Sequence, residues 1–284
     1  MPTDKRQRQK EGRRVRLEAQ RKQDRRRQLL RRAAIVIVVA GVIIGSVILF
    51  TQHSPKPLTA TQKAQQSANE AAHSVGCPPQ PATPTKPANT LKWKKQPPMR
   101  LDKSALYYAQ MSTTQGGIVV KLNVKGAPVN VNNFVFLADH GFYVCNPIWR
   151  VIPGFMNQTG DPTGGGSGGP GYSVNKNEFP PAVKSGVQYP KGAVAMANSC
   201  STAITDPAKC PTTNASQFFI VAKPLTAAEL PPKYTIIGQV VGSYTALEKI
   251  NAQGDPNVAT ETGGINGNHP AVLNQLLSVK IFIH

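Results

Sequence analysis

Residues 149–158 read WRVIPGFMNQ and combine one cation with apolar and amide side chains. Arg150 carries a permanent charge and presents a planar fork of N–H donors. Phe155 and Met156 supply apolar surface, and Gln158 supplies an amide. In a partly dry pocket, a hydrogen bond from Arg150 can be stronger in a transition state than in the ground state, which is the condition for catalysis. These residue types therefore suit a reaction that needs a charged donor beside an apolar slot and no nucleophile.

A second stretch reads MAN at residues 196–198 and, after an insert, NASQFFI at residues 214–220. Together with the first stretch, it resembles the active-site segments of the cyclophilins, the cyclosporin-binding class of peptidyl-prolyl cis-trans isomerases, in order and in residue type. Residues 116–143 are similar to the first hairpin and first helix of that family. The resemblance covers residues 105–284, nearly two-thirds of the chain.

The resemblance implies a non-covalent prolyl isomerase without a cofactor. An Xaa-Pro bond prefers trans by only about 0.5–1 kcal/mol, but its rotation crosses a barrier of about 18–20 kcal/mol. By resemblance, Arg150 donates to the prolyl nitrogen of the twisted amide, and Gln158 binds the substrate backbone and helps to place Arg150. The proline slot would be lined by Phe155, Met156, Phe219 and Leu230 with Tyr234 as a wall, and the edge before proline would be formed by Ala197, Asn198 and Gln217.

Four positions depart from the family pattern. Trp149 stands where the family usually has His, Thr159 replaces a usual Gly, and Tyr234 stands where a pocket His is common. Tyr234 can still wall the slot and offer a hydroxyl. Glu229 stands where many eukaryotic members have the Trp associated with cyclosporin binding, which counts against tight cyclosporin binding.

Two other functional interpretations of these residues compete with isomerase activity. The first is a binding module, a cyclophilin barrel that holds Pro-containing segments with little turnover; Arg150 is intact here, but its neighbour is changed to Trp149. The second is phosphate binding by residues 164–172, GGGSGGPGY, but this stretch lacks the Gly-Lys-Ser/Thr of a P-loop and predicts a flexible loop at the rim of the site.

Residues 105–284 predict a mainly β fold, because short β-branched or aromatic runs are bounded by Gly, Pro and Asn. Closure of the sheet would remove exposed strand edges. We therefore expect a closed antiparallel barrel, and the resemblance implies eight strands with a helix over each end. The pattern predicts strands over residues 106–111, 117–122, 192–196, 217–222, 234–241 and 277–283, and helices over residues 128–140 and 244–252.

Residues 33–50 read AAIVIVVAGVIIGSVILF, 18 residues without a charge. At about 1.5 Å rise per residue such a helix spans roughly 27 Å, close to the ~30 Å of a hydrocarbon core. The run therefore predicts a transmembrane helix. A cleaved signal peptide is the main alternative, but the preceding region is long, the apolar run exceeds the usual h-region and no good small-residue cleavage site follows directly.

Residues 1–32 form a basic tail with 14 Lys or Arg and 4 acidic residues, a net charge of +10 out of +19 for the whole chain. By the positive-inside rule, this tail stays in the cytoplasm and the domain is extracytoplasmic, so the chain would be a single-pass protein of the cell membrane. Contact of the tail with anionic lipid is favoured over nucleic-acid binding. The expected substrates are Pro-containing polypeptides that fold after export.

Residues 51–104 are rich in Pro, Gln, Ala, Thr, Ser and Lys without a sustained apolar period, which predicts a linker. The four cysteines allow three pairings in an oxidising compartment. Cys200 and Cys210 bracket the insert, so we expect them to pair, which leaves Cys77 with Cys145. Free thiols are the alternative. A zinc site is not expected, because the five histidines are scattered and no cysteine pair has ligand spacing.

Overall fold

The structure is a computed structural model that describes residues 21–23, 25–31, 57–79, 87–200, 203–204, 206–255 and 270–284. The chain divides into two units, residues 1–57 and residues 58–284. In the first unit, residues 21–23 and 25–31 are helical and exposed. The predicted transmembrane segment, residues 33–50, lies outside the described residues. Among the helices that the structure does describe, none has the length and apolar character needed to cross a bilayer.

The described part of the second unit contains eleven strands, three α-helices and a single 3₁₀ turn, Pro207–Lys209. The helices are α1 (Ala60–His73), α2 (Pro128–Asp139) and α3 (Thr245–Asn251). The strands are β1 (Tyr107–Thr113), β2 (Gly116–Leu122), β3 (Asn146–Pro147), β4 (Arg150–Ile152), β5 (Met156–Thr159), β6 (Val187–Tyr189), β7 (Ala193–Met196), β8 (Phe218–Val221), β9 (Leu225–Thr226), β10 (Ile236–Val241) and β11 (Gln275–Ile283). All six predicted strands and both predicted domain helices are present, with ends shifted by one or two residues.

Nine strands form one antiparallel sheet in the order β3-β11-β1-β2-β10-β7-β8-β5-β4, and β6 pairs with β9 separately. The two edges, β3 and β4, are separated along the chain only by Ile148 and Trp149. A flat sheet of this size would be about 38 Å wide at roughly 4.8 Å per strand, which two residues cannot bridge. The sheet is therefore curled until its edges approach each other.

The predicted closed eight-stranded barrel is wrong in two respects, because the sheet has nine strands and no ladder joins β3 to β4 among the described residues. The seam between these edges has a local cause. Strand β3 has only two residues, and one of them, Pro147, has no N–H to donate to a second neighbour. A side chain crosses the seam instead, where the Thr159 hydroxyl donates to the Pro147 carbonyl over 2.9 Å.

The interior of the curled sheet is filled by alternate strand residues and by α2. Phe134 of α2 is fully buried, and its ring lies 5.2 Å from that of Tyr143 and 5.5 Å from that of Phe218. Helix α3 lies close to β2, β4 and β5, where Asn157 donates to the Leu247 carbonyl over 3.0 Å. The edge-to-face contact of Phe134 with Phe218 adds to the free energy gained by burial. Both helices thus contribute buried residues to the core that the sheet surrounds.

The N-terminus of α2 is capped by a residue that is distant in sequence. Its own N-cap position is Ala127, which has no side chain that could accept a hydrogen bond. The Glu178 carboxylate accepts instead from the backbone N–H groups of Val129 and Asn130, at 3.0–3.2 Å, and from the Asn130 side chain at 3.0 Å. A carboxylate at this end also interacts favourably with the helix dipole.

The segment predicted as a linker contains ordered structure. Helix α1 begins with a reciprocal capping box between Thr59 and Gln62, and Gln65 exchanges hydrogen bonds with the backbone of Leu273. Residues 87–101 follow the surface of the domain. The Cys77–Cys145 disulfide joins α1 to the turn before β3, with a Cα–Cα distance of 5.4 Å. The second expected pair, Cys200–Cys210, is also bonded.

Replacement of Glu178 by Ala tests the long-range cap. We expect Glu178→Ala to lower the free energy of unfolding of the full chain by about 1–3 kcal/mol, because two backbone donors of α2 lose their acceptor. The measurement is urea unfolding followed by circular dichroism. The matched control is Glu248→Ala, which removes an exposed pair with Lys191 and should cost less than about 1 kcal/mol. Equal losses in the two variants would contradict the cap.

Candidate active site

Three adjacent strands carry three of the predicted site residues in one row across the sheet, and a fourth strand extends the row. Arg150 of β4 is directly opposite Gln158 of β5, Gln158 is opposite Phe219 of β8, and Phe219 is opposite Ala195 of β7. Directly opposed residues in antiparallel strands point to the same side of the sheet. The row therefore places a cation, an amide and an aromatic ring side by side on the outer face, away from the filled interior.

Strands β7 and β8 are buried on both faces, so each contributes to two apolar clusters. In β8, Phe218 and Ile220 belong to the interior core, whereas Phe219 and Val221 belong to a second cluster outside the sheet. Strand β7 alternates in the same way. The second cluster contains five residues that were predicted to line the slot: Phe155, Met156, Phe219, Leu230 and Tyr234. It also contains residues that the sequence did not single out, among them Ile152, Tyr189, Ala195, Val221 and Leu225.

The five predicted members of this cluster form an apolar slot. Met156 and Phe219 are buried, whereas Phe155 and Tyr234 are half-buried and leave part of their surface open. The Phe219 and Tyr234 rings meet edge to face, with centroids 5.4 Å apart and planes at 81°. A partly open surface formed by aromatic rings can accept a small apolar ring such as that of proline.

Tyr189 supports the slot from beneath and was missed by the sequence reasoning. Its ring is fully buried, and its hydroxyl donates to the Pro231 carbonyl over 3.0 Å and accepts from the Tyr234 N–H over 3.2 Å. Burial raises the pKa of Tyr189 well above its usual range, so this hydroxyl stays a donor. The Tyr189 hydroxyl thus fixes the turn that carries Tyr234.

Arg150 lies at the edge of the slot and is half-buried. Its Nη1 donates to Oε1 of Gln158 over 3.4 Å. Burial lowers the pKa of the Arg150 guanidinium, and the Tyr234 phenol opposes that effect. Burial likewise raises the pKa of Tyr234, and the charge of Arg150 opposes it. The two groups are therefore close enough to interact, with Arg150 charged and Tyr234 neutral near pH 7.

The predicted edge residues divide into two kinds. The Ala197 N–H donates to the Gln217 carbonyl over 2.9 Å, which holds both residues beside the slot. Asn198 is used differently, because its amide donates to the Lys233 carbonyl over 2.7 Å and accepts from the Cys200 N–H over 2.9 Å. Asn198 thus links the turn before Tyr234 to the insert that the Cys200–Cys210 disulfide closes. Roles of these residues in substrate binding remain predictions.

Residues 161–172, here called the rim loop, are tied down more firmly than the sequence suggested. The fully buried Asp161 carboxylate accepts from the Thr163 N–H and hydroxyl, both at 2.7 Å, and from the Gly168 N–H at 3.0 Å. Gln217 donates to the carbonyls of Gly166 and Gly168 over 2.9 and 3.0 Å. The Asp161 contacts are local, and Asp161 at the start of the Gly-rich run could have signalled them, whereas the Gln217 contacts are long-range in sequence.

Glu229, which departs from the family pattern, is exposed and accepts hydrogen bonds from residues of the turn that it belongs to. The Thr226 N–H donates to it over 2.9 Å and the Lys223 ammonium over 3.0 Å. These bonds, the Thr226 backbone first, lower the pKa of Glu229 to about 2. The turn ends at Leu230, so Glu229 helps to place one wall of the slot.

Comparisons with known proteins find relatives among the peptidyl-prolyl cis-trans isomerases. The chain is 35% identical over 189 residues to "Probable peptidyl-prolyl cis-trans isomerase B" of Mycobacterium tuberculosis (strain ATCC 25618 / H37Rv), an alignment that covers 62% of this chain and 56% of that protein. It is 36% identical over 181 residues to the protein of the same name from Mycobacterium leprae, covering 60% and 54%. The chain thus spans about half the length of the curated relatives it matches.

A solved Cryptosporidium parvum cyclophilin type peptidyl-prolyl cis-trans isomerase aligns with 62% of this chain and 98% of its own, at 23% identity and a TM-score of 0.48. Residues 108–268, more than half of the chain, match the family model described as "Cyclophilin type peptidyl-prolyl cis-trans isomerase/CLD". This match includes the row of Arg150, Gln158 and Phe219 and all five residues of the slot. The chain therefore belongs to the cyclophilin-type peptidyl-prolyl cis-trans isomerase family.

Proposed function

We propose that this chain accelerates the cis–trans isomerisation of Xaa-Pro bonds in polypeptides. The observation that carries the proposal is a half-buried Arg150 beside an apolar cluster in which the Phe155 and Tyr234 rings are partly open. The pyrrolidine ring enters the slot between Phe155, Phe219 and Tyr234. Arg150 then donates to the prolyl nitrogen, whose lone pair becomes available only when the amide twists. This hydrogen bond strengthens in the transition state, and each ~1.4 kcal/mol gained is tenfold in rate.

Gln158 acts in this mechanism as a positioning residue. Its Oε1 accepts from Arg150, and its Nε2 donates to Gln217 over 3.0 Å. Both ends of the amide are therefore used within the protein, although Oε1 keeps a second lone pair for a substrate N–H. The reaction breaks no covalent bond, so the site needs orientation and desolvation rather than a nucleophile or a cofactor.

Removal of the guanidinium is the direct test of this mechanism. We expect Arg150→Ala to lower kcat/KM about 10²–10³-fold, the usual cost of losing one preorganised donor, with little change in the free energy of unfolding. Arg150→Lys should recover only part of the activity, because it keeps the charge and loses the planar fork. The assay uses the full chain with Ala-Pro and Phe-Pro peptides.

The matched control is Lys121→Ala on the exposed side of β2, which should leave the rate unchanged. An Arg150→Ala variant with wild-type turnover would contradict the proposed mechanism. A wild-type chain that binds Pro-containing peptides but shows no turnover would favour the alternative, a cyclophilin-like binding module.

The pH dependence of the reaction is a second test. Among the described residues, Arg150, Tyr234 and the buried Tyr189 are the ionisable groups at the slot, and burial also raises the pKa of Tyr189. The ammonium of the neighbouring Lys233 donates to the Ile204 carbonyl. Burial lowers the pKa of Arg150, but an arginine side chain stays protonated in proteins. Burial raises the pKa of Tyr234 above its ordinary value, so the phenol stays neutral. We therefore expect kcat/KM to be flat between about pH 6 and pH 9.

Tyr234→His supplies the control for this profile. It introduces a group with an ordinary pKa of about 6.5 beside Arg150, so an inflection should appear near or below that pH. An inflection of similar size between about pH 6 and pH 7 in the wild-type chain would contradict the assignment of the slot.

We further propose that residues 33–50 anchor the chain in the cell membrane, with the basic tail in the cytoplasm on anionic lipid and the domain outside. The support is the placement of 14 cations before the apolar run and the two disulfides, which persist in oxidising compartments. The substrates would then be exported proteins. Nucleic acid is not a proposed partner.

Protease accessibility tests the topology. Protease added to intact cells that make the full chain should remove an epitope at the C-terminus and spare one at the N-terminus. A reporter held in the cytoplasm serves as the integrity control. A C-terminal epitope that stays protected until lysis would contradict the proposed orientation, and a mature chain that begins after residue 50 would show cleavage of the apolar segment.

A further inference from the structure

Residues 87–100, here called the strap, follow the rim loop on its outer side. The Ala88 N–H donates to the Pro162 carbonyl over 2.7 Å, and the Trp93 N–H donates to the Pro170 carbonyl over 2.8 Å. Between them, the Lys92 ammonium donates to the Gly169 carbonyl. The strap therefore contacts the rim loop near both of its ends.

The strap is itself fastened to rigid parts of the domain. The Trp93 ring meets Phe136 of α2 edge to face, with centroids 5.3 Å apart, and Asn89 donates to the Phe142 carbonyl over 2.7 Å. At the other end, the buried Asn132 of α2 accepts from the Arg100 N–H over 2.9 Å and donates to the Pro98 carbonyl over 3.0 Å. Through these contacts, the strap holds the rim loop in a fixed position relative to α2.

The rim loop in turn fixes the orientation of two amides. Because Gln217 donates its Nε2 to the carbonyls of Gly166 and Gly168, its Oε1 must point towards Gln158. Gln158 therefore presents Nε2 to Gln217, which leaves Oε1 for Arg150. An amide has one donor end and one acceptor end, so each bond determines the next. If Gln217 turned over, Gln158 would present N–H groups to the guanidinium, and the two would repel.

We propose that the strap and the rim loop are positioning elements of the active site, which orient Arg150 through the amide polarity of Gln217 and Gln158. This inference rests on the proposed isomerase function for its kinetic consequences. The strap lies outside the match to the cyclophilin-type family model, which begins at residue 108. The strap therefore adds positioning contacts to the site that residues 108–268 do not supply by themselves.

Two glycines provide a matched pair of variants. Gly171 of the rim loop and Gly186 both have φ +92°, so Ala imposes the same backbone strain at each position. A Cβ at Gly171 would lie 3.0 Å from the Trp93 carbonyl oxygen, whereas a Cβ at Gly186 meets nothing within 4 Å. Gly171→Ala should therefore push the strap from the loop, and Gly186→Ala should cause only the common strain.

The kinetic experiment compares these variants in the full chain. We expect Gly171→Ala to lower kcat about tenfold or more relative to Gly186→Ala with little change in KM, because the slot is intact and the donor is misplaced. Gly186→Ala should stay within about twofold of the wild type. Trp93→Ala should reproduce the loss and Trp93→Phe should largely restore kcat. Equal kcat values for Gly171→Ala and Gly186→Ala would overturn the proposal.

A double-mutant cycle and a spectrum separate positioning from general damage. In a Gln217→Ala background the effect of Gly171→Ala should disappear, because the relay is already broken; an undiminished effect would overturn the proposal. The side-chain amide resonances of Gln158 and Gln217 should shift in Gly171→Ala and not in Gly186→Ala. Unshifted resonances would overturn the proposal even if the wild-type chain had no isomerase activity, an outcome that would by itself defeat only the proposed function.

Discussion

The site depends on strands that are buried on both faces. In β7 and β8, every second side chain fills the interior, and the residues between them line the slot. A one-residue slip of β8 would exchange Phe218 with Phe219 and move the entire row to the wrong face. Packing of the core and geometry of the site are therefore one constraint, which α2 enforces through the contact of Phe134 with Phe218.

The polar side chains around the row of Arg150, Gln158 and Phe219 are each held in one orientation by hydrogen bonds. Tyr189 holds the turn of Tyr234, Asn198 holds the carbonyl of Lys233, and Gln158 lies between Arg150 and Gln217. Buried amides and hydroxyls must find partners, and a partner with fixed polarity leaves them one orientation. The guanidinium is thus oriented by the protein before any substrate arrives, which is the basis of electrostatic preorganisation.

The sequence predicted what depends on local pattern and on short motifs. Short β-branched or aromatic runs bounded by Gly, Pro and Asn located the strands, and the helical spacing of Val131 and Phe134 located α2. The seam was not predicted because the missing ladder between β3 and β4 depends on Pro147, which lies in a strand too short to show a period. The strap was missed because its Pro and Lys content is typical of linkers; only Trp93 gave a sign of docking. Helix α1 was signalled by Thr59 and Gln62, but its apolar pattern is weak.

The seam has a consequence for how the site can move. Arg150 lies on β4, an edge strand that pairs only with β5 in the described sheet. No backbone ladder joins β4 to β3 across the seam. Besides the ladder with β5, the backbone of β4 accepts one hydrogen bond from Asn251 at its Ile152 carbonyl, whereas β7 and β8 are paired along both sides. The fold therefore carries its cation on a strand with one neighbour and its apolar slot on strands with two, so a displacement of β4 would move the guanidinium relative to the slot.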